Sequence, residues 1–150
     1  MLERGLVQRV TALNRFVHDV YHGQEILKAG LISAEQVLRN SQYRAVMQGV
    51  AVPNQIYSHI AGVDIVRAGS EGGRGQYYVL EDNLRVPSGV SYMLEDRKMM
   101  MRLFPGLFSQ YRVAPVAHYP DLLLETLRDS SPAATANPTV VVLTPGMYNS

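Results

Sequence analysis

The sequence predicts an α+β fold in which helices flank an antiparallel β-hairpin and one strand of a further α/β domain follows. Two segments rich in β-branched and aromatic residues, 62–67 and 77–85, lie on either side of the Gly-rich loop 70–75, which is the pattern of a hairpin. Apolar residues recur at helical spacing across 6–21. The continuous apolar run 139–143 is typical of a strand buried in a parallel sheet.

Further elements are expected before the hairpin. The first helix should end near Gly23, because glycine is the common residue just after a helix. Ser33 followed three residues later by Gln36 resembles a capping box, which predicts a short helix through residue 39. Residues 41–48 are predicted to be helical, and residues 55–60 are predicted to extend the first strand of the hairpin.

Helices are also expected after the hairpin. The turn formed by residues 87–89 leads into a predicted helix that runs to about residue 104. A second helix is predicted at 120–128, and residues 130–138 form a polar linker that contains proline and alanine.

The hairpin has a predicted register. If the ladder is centred on the loop, Asp64 lies opposite Glu81, and strand alternation places Glu81, Asn83 and Arg85 on the face that carries Asp64. The same register gathers an apolar stripe on the other face, in which only Asp82 disagrees. The stripe consists of Val63, Ile65, Tyr78, Leu80, Leu84 and Val86.

Two opposed carboxylates repel each other unless a cation offsets the repulsion. Mg²⁺ prefers oxygen ligands, takes one or two carboxylates from the protein and leaves its other positions to water and phosphates. Asp64, Glu81 and the Asn83 amide oxygen fit that requirement, which predicts a metal site. Arg85 is then placed to clamp phosphoryl oxygens. The alternative is a solvent-facing hairpin with ordinary charges.

The order of these residues resembles a known family. The pattern Val63-Asp64, a short loop, then Tyr78-Val79-Leu80-Glu81-x-Asn83-x-Arg85 is similar to the metal-binding end of the ATP-grasp ligases. The run 80–95 resembles, more narrowly, the circularly permuted ATP-grasp proteins related to glutathionylspermidine synthase. Together with segments 14–16, 21–22 and 143–150, the resemblance covers nearly the whole chain.

The resemblance implies an ATP-grasp type of sheet and an ATP-dependent ligase that joins a carboxylate to an amine through an acyl phosphate. It implies that Asp64, Glu81 and Asn83 hold Mg²⁺ and that they and Arg85 contact ATP. Arg85 would be catalytic, because it would stabilise the transferring group. Other ligases carry an Arg two residues before the first Asp, where this chain has Gly62.

The family also needs two lysines and a closing Gly-rich loop to hold the nucleotide. This chain contains only Lys28 and Lys98, neither in such a context, so the nucleotide clamp is expected outside it. Residues 1–129 would form a partial ATP-grasp, metal-binding portion, 130–138 a linker, and 139–150 the first strand of an incomplete Rossmann-like domain. The expected partners are small-molecule carboxylate and amine substrates and the remaining domains of a parent protein.

A zinc hydrolase is a competing interpretation. His18 and His22 are four residues apart on a predicted helix and share one face, and Asp19 beside them offers an acid to act as base. No third ligand is marked by spacing. The candidates for it are His59, His118 and Glu25.

Composition excludes several classes of function. The chain has 150 residues, no cysteine and a formal net charge of +1, which excludes thiolate catalysis and disulfides and gives no field that would attract nucleic acid. No apolar stretch reaches the roughly 20 residues of a membrane span. Because there is no signal-peptide pattern and the resemblance implies ATP, a cytoplasmic location is expected. A non-catalytic scaffold or interaction fragment remains an alternative to the enzyme segment.

Overall fold

The computed structural model describes residues 2–69, 75–132 and 135–147. Two compact units make up the chain, Met1–Ser88 and Gly89–Ser150. The described part contains six α-helices, two short 3₁₀ turns and one antiparallel pair of strands. This confirms the predicted α+β class, with a two-stranded antiparallel sheet flanked by helices.

The first unit holds the hairpin and three helices. Its elements are α1 (Leu2–Tyr21), α2 (Glu25–Lys28), α3 (Ala34–Leu38), 3₁₀ turns at Ala45–Met47 and Pro53–Gln55, β1 (Gly62–Ala68) and β2 (Gln76–Asn83). The long first helix is confirmed, and its packing against α2 buries Val20 and Leu27. The cap of α3 is also confirmed, because the Ser33 hydroxyl accepts the backbone N–H of Gln36 at 3.3 Å.

Two predicted elements in this unit are wrong. Residues 41–48 contain a 3₁₀ turn at Ala45–Met47 instead of a helix. The Asn40 side chain accepts the backbone N–H of Gln42 at 2.9 Å and starts a turn there. Residues 55–60 do not extend β1. Asn54 and Gln55 have left-handed backbone angles that a strand cannot contain, and the N–H groups of Tyr57 and Ser58 bond to a side chain of α1.

The hairpin register is confirmed at one end. Gly62 pairs with Asn83, Val63 with Asp82 and Asp64 with Glu81. A β-bulge then shifts the ladder, so that Ile65 pairs with Val79 and Leu80 is the extra residue. Beyond the bulge the predicted apolar stripe is therefore wrong. Tyr77 and Val79 share the face of Ile65, whereas Tyr78 lies opposite Val66.

The second unit is helical in its described part. It contains α4 (Val90–Leu103), α5 (Pro105–Tyr111) and α6 (Tyr119–Asp129). The first and last of these confirm predictions, whereas α5 was not predicted. Pro105 occupies its first turn, where the missing N–H costs nothing, and the Arg97 guanidinium lies over the Phe108 ring at 5.0 Å, joining α4 to α5.

The predicted strand at 139–143 has no ladder partner among the described residues, and 135–147 contain neither helix nor strand. Val141, Val142 and Leu143 are strongly exposed. The division into a portion at 1–129, a linker and a Rossmann-like domain stays a prediction. None of the described helices combines the length and apolar character needed to cross a bilayer.

Candidate metal and phosphate site

Three of the predicted site residues lie together at the open end of the hairpin. Asp64 and Glu81 are directly paired across the two strands, which places their Cβ atoms about 5 Å apart. Asn83 is two residues along β2 on the same face, and its amide nitrogen donates to Glu81 Oε1 at 3.0 Å. All three side chains are exposed, so an ion and its waters could reach them.

The donor set fits a magnesium ion. Because Asn83 uses its nitrogen toward Glu81, its Oδ1 stays available as a ligand. Within the described segments, the Asp64 carboxylate makes no hydrogen bond or ion pair, and no group of three His, Asp or Glu residues forms a metal cluster. Two carboxylates and one amide oxygen are a ligand set that leaves several positions to phosphate and water, as Mg²⁺ requires.

Arg85 lies two residues beyond the end of β2, so the strand alternation that would place it on this face no longer applies. Its Nη1 donates to Gln42 Oε1 at 2.7 Å. This contact ties Arg85 to the segment after α3 and leaves its other N–H groups for a ligand. Its catalytic and phosphate-binding role stays a prediction.

Gly62 stands two residues before Asp64, where other ATP-grasp ligases carry an arginine, and there is little space for a side chain at this position. A Cβ atom on Gly62 would lie 2.9 Å from Pro87 Cβ and 3.5 Å from Asn83 Cβ. The first distance is shorter than real Cβ contacts allow, so no side chain fits here unless Pro87 moves. The glycine lets the chain after β2 pack directly against β1 beside Asn83.

Asp82, the residue that broke the apolar stripe, is held by α1. Arg9 Nε donates to Asp82 Oδ1 at 2.7 Å and Arg9 Nη2 donates to Oδ2 at 2.5 Å. These hydrogen bonds hold the pKa of Asp82 below its usual value and raise that of Arg9. Sequence reasoning missed this pair, although one acid in an apolar stripe was a signal that a basic partner faced it.

A second contact joins α1 to the same end of the hairpin. Asn14 Oδ1 accepts the N–H groups of Tyr57 and Ser58 at 2.8 and 2.9 Å. The buried Ser58 hydroxyl lies 3.0 Å from the carbonyl oxygen of Leu84 and 3.1 Å from that of Ile60, with its single O–H to donate between them. Leu84, the residue after Asn83, is therefore linked to α1 through Ser58, whose hydroxyl contacts Leu84 and whose N–H bonds to Asn14.

The zinc interpretation fails in the described part of the chain. The rings of His18 and His22 stack with centroids 4.2 Å apart, and the Nδ1 atoms of both contact polar oxygens of the protein. Both Asp19 oxygens accept backbone N–H groups, from Glu25 and Ile26 at 2.9 Å each. Asp19 thus caps the start of α2 instead of serving as a base.

No third zinc ligand joins the two histidines among the residues that the structure describes. The Glu25 carboxylate, one of the predicted candidates, pairs with Lys28 at 2.9 Å. His59 and His118, the other two, form no metal cluster with the pair either. His18 and His22 instead belong to an aromatic and hydrogen-bonded group with Tyr57.

Known proteins resemble this chain along its whole length. An uncharacterized protein of Mycobacterium tuberculosis H37Rv is 48% identical over 149 residues, which cover 99% of this chain and 26% of that relative. An uncharacterized protein of Synechocystis is 46% identical over 149 residues, covering 99% of this chain and 30% of the relative. In Frankia casuarinae, a protein named "Putative glutamate–cysteine ligase 2-2" is 40% identical over 146 residues, covering 97% of this chain and 16% of the relative.

The chain thus spans about a quarter of the length of the mycobacterial relative. The family described as "A circularly permuted ATPgrasp" matches all of residues 1–150. Its match includes the hairpin with Asp64, Glu81 and Asn83 and the helices on both sides of it. This chain belongs to the circularly permuted ATP-grasp family.

Proposed function

We propose that this chain supplies the Mg²⁺ and phosphate-binding strands of an ATP-dependent carboxylate–amine ligase. The observation that carries the proposal is the pairing of Asp64 with Glu81, with Asn83 beside them on one exposed face. Membership in the ATP-grasp family supports the use of ATP and Mg²⁺. An ATP-dependent ligase of this kind works in the cytoplasm.

The proposed reaction has two steps. A substrate carboxylate oxygen attacks the γ-phosphorus of ATP, the bond to the β–γ bridging oxygen breaks, and ADP leaves an acyl phosphate behind. The amine nitrogen then attacks the acyl carbon, inorganic phosphate leaves with the acyl C–O bond pair, and the amine loses a proton to solvent. Bound Mg²⁺ neutralises phosphate charge in these steps.

Each residue has a defined part in this scheme. Asp64, Glu81 and Asn83 would hold the Mg²⁺ ion, which would supply charge neutralisation for the ATP phosphates, and their place on paired strands would keep the three ligands together. Arg85 keeps guanidinium N–H groups beyond the one bound to Gln42, and these stabilise the transferring phosphoryl group. The nucleotide clamp comes from residues outside this chain.

The substrates are small molecules with a carboxylate and an amine. The Frankia relative is named as a glutamate–cysteine ligase, and that reaction also joins a carboxylate to an amine. This chain matches 16% of that named protein. Glutamate and cysteine are therefore the first substrate pair to test. The remaining domains of the longer protein are the expected partners.

The test uses the longest natural protein that carries this chain. Calorimetry measures its binding of a non-hydrolysable ATP analogue with and without Mg²⁺, and ADP release is followed where a substrate pair is found. We expect Glu81→Gln and Asn83→Ala to abolish the Mg²⁺-dependent part of binding and to lower kcat by about 100-fold or more. Circular dichroism checks that both variants stay folded.

Glu35→Gln is the matched control, because Glu35 is an exposed acid of the same unit that pairs with Arg39 at the end of α3. It should bind the nucleotide and Mg²⁺ as the wild type does. Wild-type Mg²⁺ dependence in Glu81→Gln would contradict the proposal. In that case the hairpin would be a scaffold.

A further inference from the structure

The ion pair between Arg9 and Asp82 stands directly behind the metal ligands. Asp82 is the residue between Glu81 and Asn83, and strand alternation turns its side chain to the opposite face. Whatever fixes the Asp82 side chain also fixes the two peptide groups that set the directions of Glu81 and Asn83. The pair therefore acts on the site through the backbone without touching a ligand.

The contact has the geometry of a fork. Two parallel N–H donors of Arg9 meet the two oxygens of Asp82 at 2.7 and 2.5 Å, which fixes both the distance and the rotation of the carboxylate. The Asp82 side chain is 16% exposed and that of Arg9 is 42% exposed, so the carboxylate is shielded from most of the solvent. A lysine could supply the charge but not the second donor.

The bulge is the reason that β2 needs such a contact. The ladder shifts between Asp64 and Ile65, with Leu80 as the extra residue, so the register on the metal side is not set by the pairing beyond it. A slip of one residue would place Asp82 or Leu80 opposite Asp64 and move Glu81 to the other face. Arg9 can meet Asp82 only in the observed register.

We propose that Arg9 and Asp82 are positioning residues whose forked ion pair holds β2 in the one register that keeps Glu81 and Asn83 beside Asp64. This inference rests on the proposed function, because it gives the pair a role at the same metal site. Asp82 touches neither metal nor nucleotide in this scheme. Its removal lowers metal affinity by misplacing the ligands, and not by removing one of them.

The experiment measures Mn²⁺ binding by electron paramagnetic resonance in the presence of a non-hydrolysable ATP analogue, again in the longest natural protein. We expect Asp82→Asn and Arg9→Gln to weaken Mn²⁺ affinity by about tenfold or more. Arg9→Lys should lose a smaller part, because the charge stays and the fork is lost. The single charge reversals Arg9→Asp and Asp82→Arg should each weaken Mn²⁺ affinity. Combining the two in one variant should recover part of the lost affinity.

Arg39→Gln is the control, since it removes one partner of the exposed Arg39–Glu35 pair on α3 and should leave Mn²⁺ affinity unchanged. All variants are compared at a temperature at which circular dichroism shows them folded. If Asp82→Asn does not fold, Arg9→Lys carries the test, and wild-type affinity in that variant would overturn the positioning role.

Glu81→Gln in the same assay separates the two proposals. If it loses Mn²⁺ binding while Asp82→Asn and Arg9→Lys keep wild-type affinity, the metal site stands and the positioning role is wrong. If Glu81→Gln itself binds Mn²⁺ like the wild type, the proposed function fails first. Recovery in the charge exchange shows that the two residues act through their mutual contact, and the comparison at a temperature at which all variants are folded separates positioning from a general loss of stability.

Discussion

The two halves of the hairpin differ in how α1 holds them. The half before the bulge, residues 62–64 with 81–83, is bound to α1 through the ion pair of Arg9 with Asp82. The next residue, Leu84, is linked to α1 through Ser58. The half beyond the bulge and the start of α1 together line a cavity of about 460 Å³. Its lining includes the apolar residues Ile65 and Val79 of the hairpin and Leu6 of α1. Directional polar contacts thus coincide with the half that carries the predicted metal ligands (the metal half) and not with the half beyond the bulge (the loop half).

This difference teaches where register is specified. The packing energy of an apolar contact changes little when one aliphatic residue takes the place of its neighbour. The loop half therefore accepts a shift of one residue at the bulge. A forked ion pair fits one partner in one orientation, and the buried Ser58 hydroxyl is held between the carbonyl oxygens of Leu84 and Ile60. Of the three predictions that follow, in order of decreasing effect, the first two test this contrast and the third concerns a contact away from the hairpin.

The largest effect is expected from Gly62→Ala, which closes the space at the metal half. The new Cβ would meet Pro87 Cβ at 2.9 Å, and we expect local opening of the hairpin to become easier by about 1–3 kcal/mol. Amide hydrogen exchange of β1, measured by mass spectrometry, reports this free energy. Gly69→Ala at the loop half meets no described atom within 4 Å and should change it by less than about 0.5 kcal/mol. Equal effects of the two alanines would remove the contrast.

A smaller effect is expected from Ser58→Ala. The variant removes a buried hydroxyl that lies within hydrogen-bonding distance of the Leu84 and Ile60 carbonyls, and we expect the residues around the end of β2 to open more easily by about 1 kcal/mol. Thr11→Ala is the control, because its hydroxyl bonds to the Val7 carbonyl on the exposed side of α1. Equal changes of hydrogen exchange around the end of β2 in both variants would show that the Ser58 hydroxyl does not stabilise this region.

The smallest effect concerns the far end of α1 and should leave the hairpin untouched. Hydrogen bonds from the N–H groups of Ile26 and Glu25 lower the pKa of Asp19 below its ordinary value of 3.8. A lowered folded-state pKa contributes stability above the ordinary value, and this stability is lost as the pH falls through the folded pKa. Circular dichroism at decreasing pH should therefore show a shallower acid loss of helix in Asp19→Asn than in the wild type. Identical acid limbs would show that the cap does not titrate.

Much of the metal half could be predicted from the sequence, and most of its support could not. Alternating polar and apolar residues fixed Asp64 opposite Glu81, because a slip would have buried charge. The bulge was invisible because Val79 and Leu80 are both apolar, and the pattern does not show which one is extra. The partner of Asp82 lies 73 positions away in the chain, and no spacing rule connects residues so far apart.

The same reason explains the local errors. Residues 41–48 and 55–60 have acceptable propensities for the predicted elements, but side chains capture their backbone N–H groups. Asn40 does so within the turn, and Asn14 does so from another helix. Arg85 was predicted by alternation, yet β2 ends before it and Gln42 holds it from a distant segment. Side-chain to backbone bonds of this kind compete with regular structure and leave little trace in a periodicity.

The extra residue at Leu80 also makes the side-chain alternation of the two halves of the hairpin independent of each other. Because the ladder changes phase there, insertions and deletions at the tip can be absorbed by the distal strands without rotating the side chains at the base. A change in the length of the connecting loop should then leave the pairing of Asp64 with Glu81 intact. The two-to-one mismatch thus marks the point in the strand pair at which a shift introduced at the tip is absorbed.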